Sequence, residues 1–238
     1  MERIREASPR PMARITGGIY LLYFLTAISG ESFIRGIIVS RDPAATATNI
    51  LAHERLFRLS VAVGLIATAL YIAVTVLFYG LFKPVNKTVA LLAAFFSLVG
   101  CAIQAFGSLF RVAPLAVLEG SPYLNVFKVD QLQAVALMSI KLNAQAAYVS
   151  LVFFGLFNLL IGYLIFKSTF LPRILGALMA LSGLGWLTFL SPSLANYLFT
   201  YIEVLGIIAE ASLMLWLLVK GVNIQRWKEQ ASAARSSG

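Results

Sequence analysis

Hydrophobic positions along this chain do not alternate with polar ones; they run together in long blocks separated by short basic or turn-forming segments. Six blocks approach the roughly 20 mostly apolar residues that one helical crossing of a bilayer needs. They lie near Ile15 to Gly30 (extending toward Val39), Phe57 to Leu81, Val89 to Phe110, Ala144 to Phe166, Ile174 to Leu190, and Leu198 to Val219. The apolar runs are continuous, without the period-two pattern of a membrane barrel. The predicted fold is therefore all-α, a polytopic integral membrane bundle of about six transmembrane helices.

Two of the helices are predicted to outrun the bilayer. Asp42 and Pro43 form a cap and first-turn pair, after which AATATNILAHERLFRLSV can continue helically into the second span. Asp130 opens the other case, with QLQAVALMSIKLNAQAAYVS leading into the fourth. Ser121 to Phe127 reads as a turn that sets Tyr123 at the interface. Small residues let helix backbones approach inside a membrane. Gly176, Ala180 and Gly183 on the fifth span should therefore pack against Gly155 and Gly162 on the fourth, with Asn158 between them as polar glue. No repeat or low-complexity segment divides the chain, so one transmembrane domain is expected over residues 13–222. A cytoplasmic segment over 1–12 and a tail over 223–238, disordered from Ala231, should flank it.

Composition agrees with a membrane protein. Of the 238 residues 60% are hydrophobic and 12% charged, and the mean hydropathy is +0.86, whereas soluble domains carry about a quarter charged residues. The net charge of +9 would suggest nucleic acid in a soluble protein, but here the cations gather at span ends and no nucleic-acid partner is expected. Arg3, Arg5, Arg10, Arg14, Lys83, Lys87, Lys167, Arg173, Lys220, Arg226, Lys228 and Arg235 are 12 of the 19 Lys and Arg residues. They mark four segments as cytoplasmic, with both termini inside the cell inner (plasma) membrane. The first span has the basic start and small residues of an export signal, but five later spans make a separate signal unnecessary and it is expected to be retained. KGVNIQRWKEQ after Val219 reads as an interfacial continuation of the sixth helix, anchored on anionic lipid by its basic residues and Trp227.

Two carboxylates stand inside the last span, although an ionised group at the bilayer centre costs at least about 2.5–3.5 kcal/mol. At 1.5 Å per residue from Leu198, Glu203 lies about 7–8 Å deep and Glu210 about 18 Å deep in a core of roughly 30 Å. An unpaired carboxyl at that depth should act as a neutral hydrogen-bond donor or a proton carrier. Glu31, Arg58, Arg111 and Lys141 fall near the outer ends of the first four spans, and Gln104, Ser108 and Gln145 in their outer halves. Ser97, Cys101, Gln104, Ser108 and Arg111 recur at helical spacing on the third span, as do Lys141, Gln145 and Tyr148 on the fourth and Thr68, Tyr71, Thr75 and Tyr79 on the second. Such stripes are costly against lipid, so they should face one another around an outward-opening polar pocket. The candidate ligand-binding set is Glu203, Glu210, Lys141, Gln145, Gln104, Arg58, Arg111 and Glu31. Its slightly cationic mouth suits a small anionic or amphiphilic molecule. The plainer alternative is that Arg58, Arg111 and Lys141 snorkel to lipid phosphates while Glu203 locks helices by pairing with Lys141 or Gln145.

Few enzymatic chemistries remain open. The single His53 rules out multi-histidine metal or haem sites within one chain, and the lone Cys101 forms no internal disulfide. No metalloprotease, CxxC, phosphate-loop or dinucleotide pattern occurs, and no cofactor is expected. Seven residues along one helix separate Glu203 from Glu210 by about 10.5 Å, too far to share a proton. His53, Glu54 and Arg58 read as an exposed helix face, the last two as an i,i+4 pair.

The segments ATNILAHERLFRLSV (Ala47 to Val61), LFKPVNKTVALLAAFFSL (Leu81 to Leu98), SLVFFGLFNLLIGYLIFKSTFLPRILG (Ser150 to Gly176) and LMLWLLVKGV (Leu213 to Val222) resemble a bacterial membrane family catalogued as domain of unknown function 4386. The resemblance runs from about Ala13 to Val222. It implies a multi-helix membrane protein and adds no activity. The function expected is binding or transport of a small anionic or amphiphilic molecule, the alternative being a non-catalytic accessory or structural membrane subunit.

Overall fold

The computed structural model describes residues 9–236, and no strand occurs among them. Arg3 and Arg5, the first part of the segment over 1–12, the last two residues and the side chain of Arg235 lie outside the described residues. The helices are α1 (Pro9–Ile34), α2 (Pro43–Ala52), α3 (Glu54–Phe82), α4 (Lys87–Leu118), α5 (Val129–Lys167), α6 (Arg173–Leu187), α7 (Pro192–Val219) and α8 (Ile224–Ser236). Short 3-10 turns occupy Pro122–Leu124 and Thr188–Leu190. Six helices are long and apolar enough to span a membrane: α1, α3, α4, α5, α7, and α6 with the turn that follows it. The chain is thus an all-α, multi-pass integral membrane protein. Its spans leave Val76, Phe106, Leu109 and Ile174 more than 60% exposed, which lipid tolerates because its tails are as apolar as the side chains.

Each predicted span is present, most with longer ends, though α1 stops at Ile34, short of the extension toward Val39. The second extension holds: α5 begins at Val129, and the Gln131 side chain accepts from the Lys128 backbone N–H at 2.9 Å. The first is interrupted. Asp42 caps α2 by accepting from Ala45 N–H at 2.9 Å, but α2 stops at Ala52. The Asn49 carbonyl takes both the backbone N–H of His53 and its ring Nδ1, each at 3.0 Å, and His53 leaves helical geometry before α3 starts at Glu54. The tail also differs from expectation. Gly221 adopts φ 69°, which stops α7 and suits a residue without Cβ. α8 then begins anew, capped by Asn223, whose Oδ1 accepts from Arg226 N–H at 3.1 Å. Ala231 to Ser236 lie within this helix rather than in a disordered end.

Packing divides the chain into two compact units. The first takes described residues 9–22, 70–100 and 151–236. Within it α5 and α6 approach closely. A Cβ at Gly162 would stand 2.8 Å from Gly176 O and Ala180 N, and one at Gly183 would stand 2.7 Å from Gly155 O. Only glycine permits backbones that close, as the spacing of small residues predicts. Buried Thr75 and Ser97 share a 2.6 Å hydroxyl contact, and Tyr20, Tyr71, Phe78 and Phe157 pack edge-on or tilted with ring centroids 5.8–6.1 Å apart. α8 is held here by buried Trp227, whose Nε1–H donates to Leu81 O at 3.0 Å, and by Arg226 and Gln230, which donate to Thr169 O and Lys167 O.

The second unit is Tyr23–Ala69 with Cys101–Ser150. Ile37, Ile50, Phe57, Leu115 and Ile140 form its core. The linker before α2 is strapped to that helix: Thr46 Oγ1 donates to Val39 O and accepts from Val39 N–H, and Asn49 Nδ2 donates to Ile37 O.

Candidate functional site

Helical faces of α1, α3, α4 and α5 within the second unit enclose a cavity of about 420 Å³, a size ordinary for small-molecule sites. Its α5 wall is Ile140, Asn143, Ala144, Ala147 and Tyr148, a continuous face at spacings of three and four. The lining combines apolar side chains, including Ile34, Ile38 and Ala67, with the polar Gln104, Ser108, Arg111 and Asn143. Most hydroxyls and amides here are tied to backbone: Ser60 to Phe57 O, Thr68 to Gly64 O, Ser108 to Gln104 O, and Asn143 Nδ2 to Gly107 O. Those bonds spend donors and leave hydroxyl oxygens free to accept.

Arg111 is the distinctive group. Its side chain is 14% exposed, and Nη1 donates to Glu31 Oε1 at 3.0 Å, while the Glu31 side chain is 70% exposed. Nε and Nη2 are buried with no hydrogen-bond partner among the described residues. A buried unsatisfied donor costs about 1–3 kcal/mol, and more when charged. Two such donors sit on one edge of the same guanidinium, the edge that meets carboxylate or phosphate oxygens in pairs.

Of the eight residues expected from sequence, Glu31, Gln104 and Arg111 line this cavity. Arg58 instead pairs with Glu54 at 2.7 Å, the expected i,i+4 pair, and also with Glu119. Lys141 and Gln145 are exposed on α5. Each stands one residue, or about 100° of rotation, beyond the face that carries Ile140 and Ala144. Neither Lys141 nor Glu203 forms an ion pair among the described residues, and Glu203 is exposed on α7.

Glu210 belongs to a separate cluster inside the first unit. Tyr20 Oη donates to its Oε2 at 2.7 Å and Asn158 Nδ2 to its Oε1 at 3.2 Å. The same Asn158 amide reaches Ser182 Oγ at 3.3 Å, and its Oδ1 has no partner among the described residues. Asn158 lies nine residues from Lys167 and Ser182 nine from Arg173, while Glu210 lies ten from Lys220 and Tyr20 ten from Arg10. That is about 14–15 Å, half of a core of roughly 30 Å. Asn158 therefore acts between helices as its spacing predicts, with a carboxyl as partner. Tyr20 and Ser182 carried no sequence signal of their own; only their matching distance from a basic helix end could have pointed to them. Asn143 fell outside the polar stripes of the sequence, and Ile140, Ala144 and Ala147, three of the five α5 wall residues, carry no polar signal.

The fold and its polar interior define a six-span helical membrane protein with a cavity in its second unit and a carboxyl cluster in its first. The chain belongs to the family described as Domain of unknown function (DUF4386), which matches residues 15–221. It is similar to an uncharacterized protein of Archaeoglobus fulgidus, 26% identical over 150 residues that cover 63% of this chain and 76% of that protein. No solved structure matches it.

Proposed function

We propose that the protein binds, and carries across the membrane, a small anionic or amphiphilic molecule taken up by the cavity of the second unit. The observation that supports this most is Arg111, a buried cation with one nitrogen paired to Glu31 and two donors unpartnered. An anion satisfies those donors, and the apolar part of the lining accommodates a tail. With the basic helix ends taken as cytoplasmic in the cell inner membrane, the cavity is loaded from the opposite side.

The test is native mass spectrometry in mild detergent after incubation with a total membrane extract, wild type beside Arg111→Gln. Wild type should retain a small molecule whose mass gives its class, and the variant should hold at least about tenfold less, since charge-assisted hydrogen bonds contribute about 1.5–3 kcal/mol each. Equal occupancy in two equally folded proteins would contradict the reading. The accessory-subunit alternative has one observation in its favour: Glu210 has two donors to satisfy it and lies among packed helices, so that carboxyl has a packing role without any ligand.

A further inference from the structure

We infer that the ligand of the second-unit cavity carries a single-charge carboxylate head, gripped side-on by the Nε and Nη2 edge of Arg111, with an alkyl tail. This rests on the cavity being a binding site and adds the class of its occupant. Three observations carry it.

The first is the geometry of the free donors. Nε–H and Nη2–H are parallel and coplanar, so they match the two oxygens of one carboxylate. Nη1 is engaged by Glu31, and neither nitrogen of the side edge has a hydrogen-bond partner among the described residues. Because both nitrogens are buried, gripping the ligand includes a turn of the Arg111 side chain that presents this edge to the cavity.

The second is charge. Arg111 and Glu31 are the charged residues of the lining, one of each sign. One added negative charge displaces the influence of Glu31, which is exposed enough to hydrate itself. A doubly charged head would leave a second charge without a cation in a low-dielectric site, a costly arrangement. A neutral head leaves the two donors no better paired than by water.

The third is size and lining. If each non-hydrogen atom takes the ~30 Å³ share of a liquid water, about 420 Å³ holds about 14 atoms. That fits a medium-chain carboxylate entirely and excludes a two-chain lipid. Ile34, Ile38, Ala67, Ile140 and Ala147 in the lining offer an alkyl tail apolar contact.

The test is equilibrium binding to the full chain in nanodiscs, corrected with protein-free discs, using octanoate, octyl phosphate and octanol. At about pH 8 the phosphate monoester carries two charges, its second pKa being about 6. Octanoate should bind at least about tenfold tighter than either competitor. Glu31→Gln should tighten it by a few fold because it removes the carboxylate competing for Arg111. Arg111→Lys keeps the charge without the planar fork and should lose about tenfold; it also serves if Arg111→Gln fails to fold. Octyl phosphate binding as well as octanoate, with both lost in Arg111→Lys, would overturn the carboxylate assignment while leaving the cavity a binding site. None of the three probes binding above the empty discs would overturn both.

Discussion

Replacing Glu210 by Leu or by Gln should separate shape from hydrogen bonding at the centre of the first unit. Leu removes both acceptors, the 2.7 Å bond from Tyr20 and the 3.2 Å bond from Asn158. In soluble interiors each loss would cost about 1–3 kcal/mol, but interhelical polar contacts inside membranes average nearer 0.6 and reach about 1.7 kcal/mol. The membrane figure governs here, and Asn158 keeps Ser182 as a partner, so the expected cost is about 1–3 kcal/mol for the pair. Gln behaves differently. Its amide oxygen still accepts from Tyr20, while its nitrogen faces the Asn158 nitrogen. Turning the Asn158 amide over, a change of almost no volume, presents the now unpartnered Oδ1 to that new donor and to the Ser182 hydroxyl. Glu210→Gln should therefore cost under about 1 kcal/mol. The assay is equilibrium unfolding in mixed micelles followed by tryptophan fluorescence. Gln as damaging as Leu would refute the reasoning, because the charge itself would then be required and the hydrogen bonds would not explain the cluster.

Gly162→Ala should lower the unfolding midpoint in the same assay. Its new Cβ would lie 2.8 Å from two backbone atoms of α6, and overpacking of about 1–3 kcal/mol exceeds the ~1 kcal/mol gained in helix propensity. Gly64→Ala, with nothing within 4 Å, is the control and should be neutral or slightly stabilising. Trp227→Phe removes the indole donor to Leu81 O, so limited trypsin should cut at Arg226 and Lys228 several-fold faster while the spans stay intact.

Helical spans were legible because a bilayer demands one simple pattern, an unbroken apolar run, and all six runs carry it. Their ends were less so. Whether α2 runs into α3 is decided by how His53 uses one carbonyl of Asn49, and the stop after α7 by the left-handed backbone of Gly221, details that apolar periodicity does not encode. The Gly155, Gly162, Gly176 and Gly183 seam was readable, since small residues at helical spacing have few other uses in lipid. In the candidate site, Arg111, Glu31 and Gln104 followed from charge and depth. Lys141 and Gln145 share their helix with the cavity wall, but a residue's rotation about its axis is fixed by neighbours, here Gly107 against Ala146. Glu210 stood out by cost alone; its partners Tyr20 and Asn158 come from α1 and α5, distant from it in sequence.

The most direct test of the Arg111 account is proton–nitrogen NMR of the arginine side chains in nanodiscs, with the Arg111 Nε resonance assigned by its absence in Arg111→Gln. Addition of octanoate, but not of octanol, should shift that Nε–H resonance strongly downfield as a charge-assisted hydrogen bond forms, while the other arginine signals stay in place. An unmoved Arg111 signal at octanoate concentrations that saturate the discs would contradict the claim that this guanidinium holds the ligand.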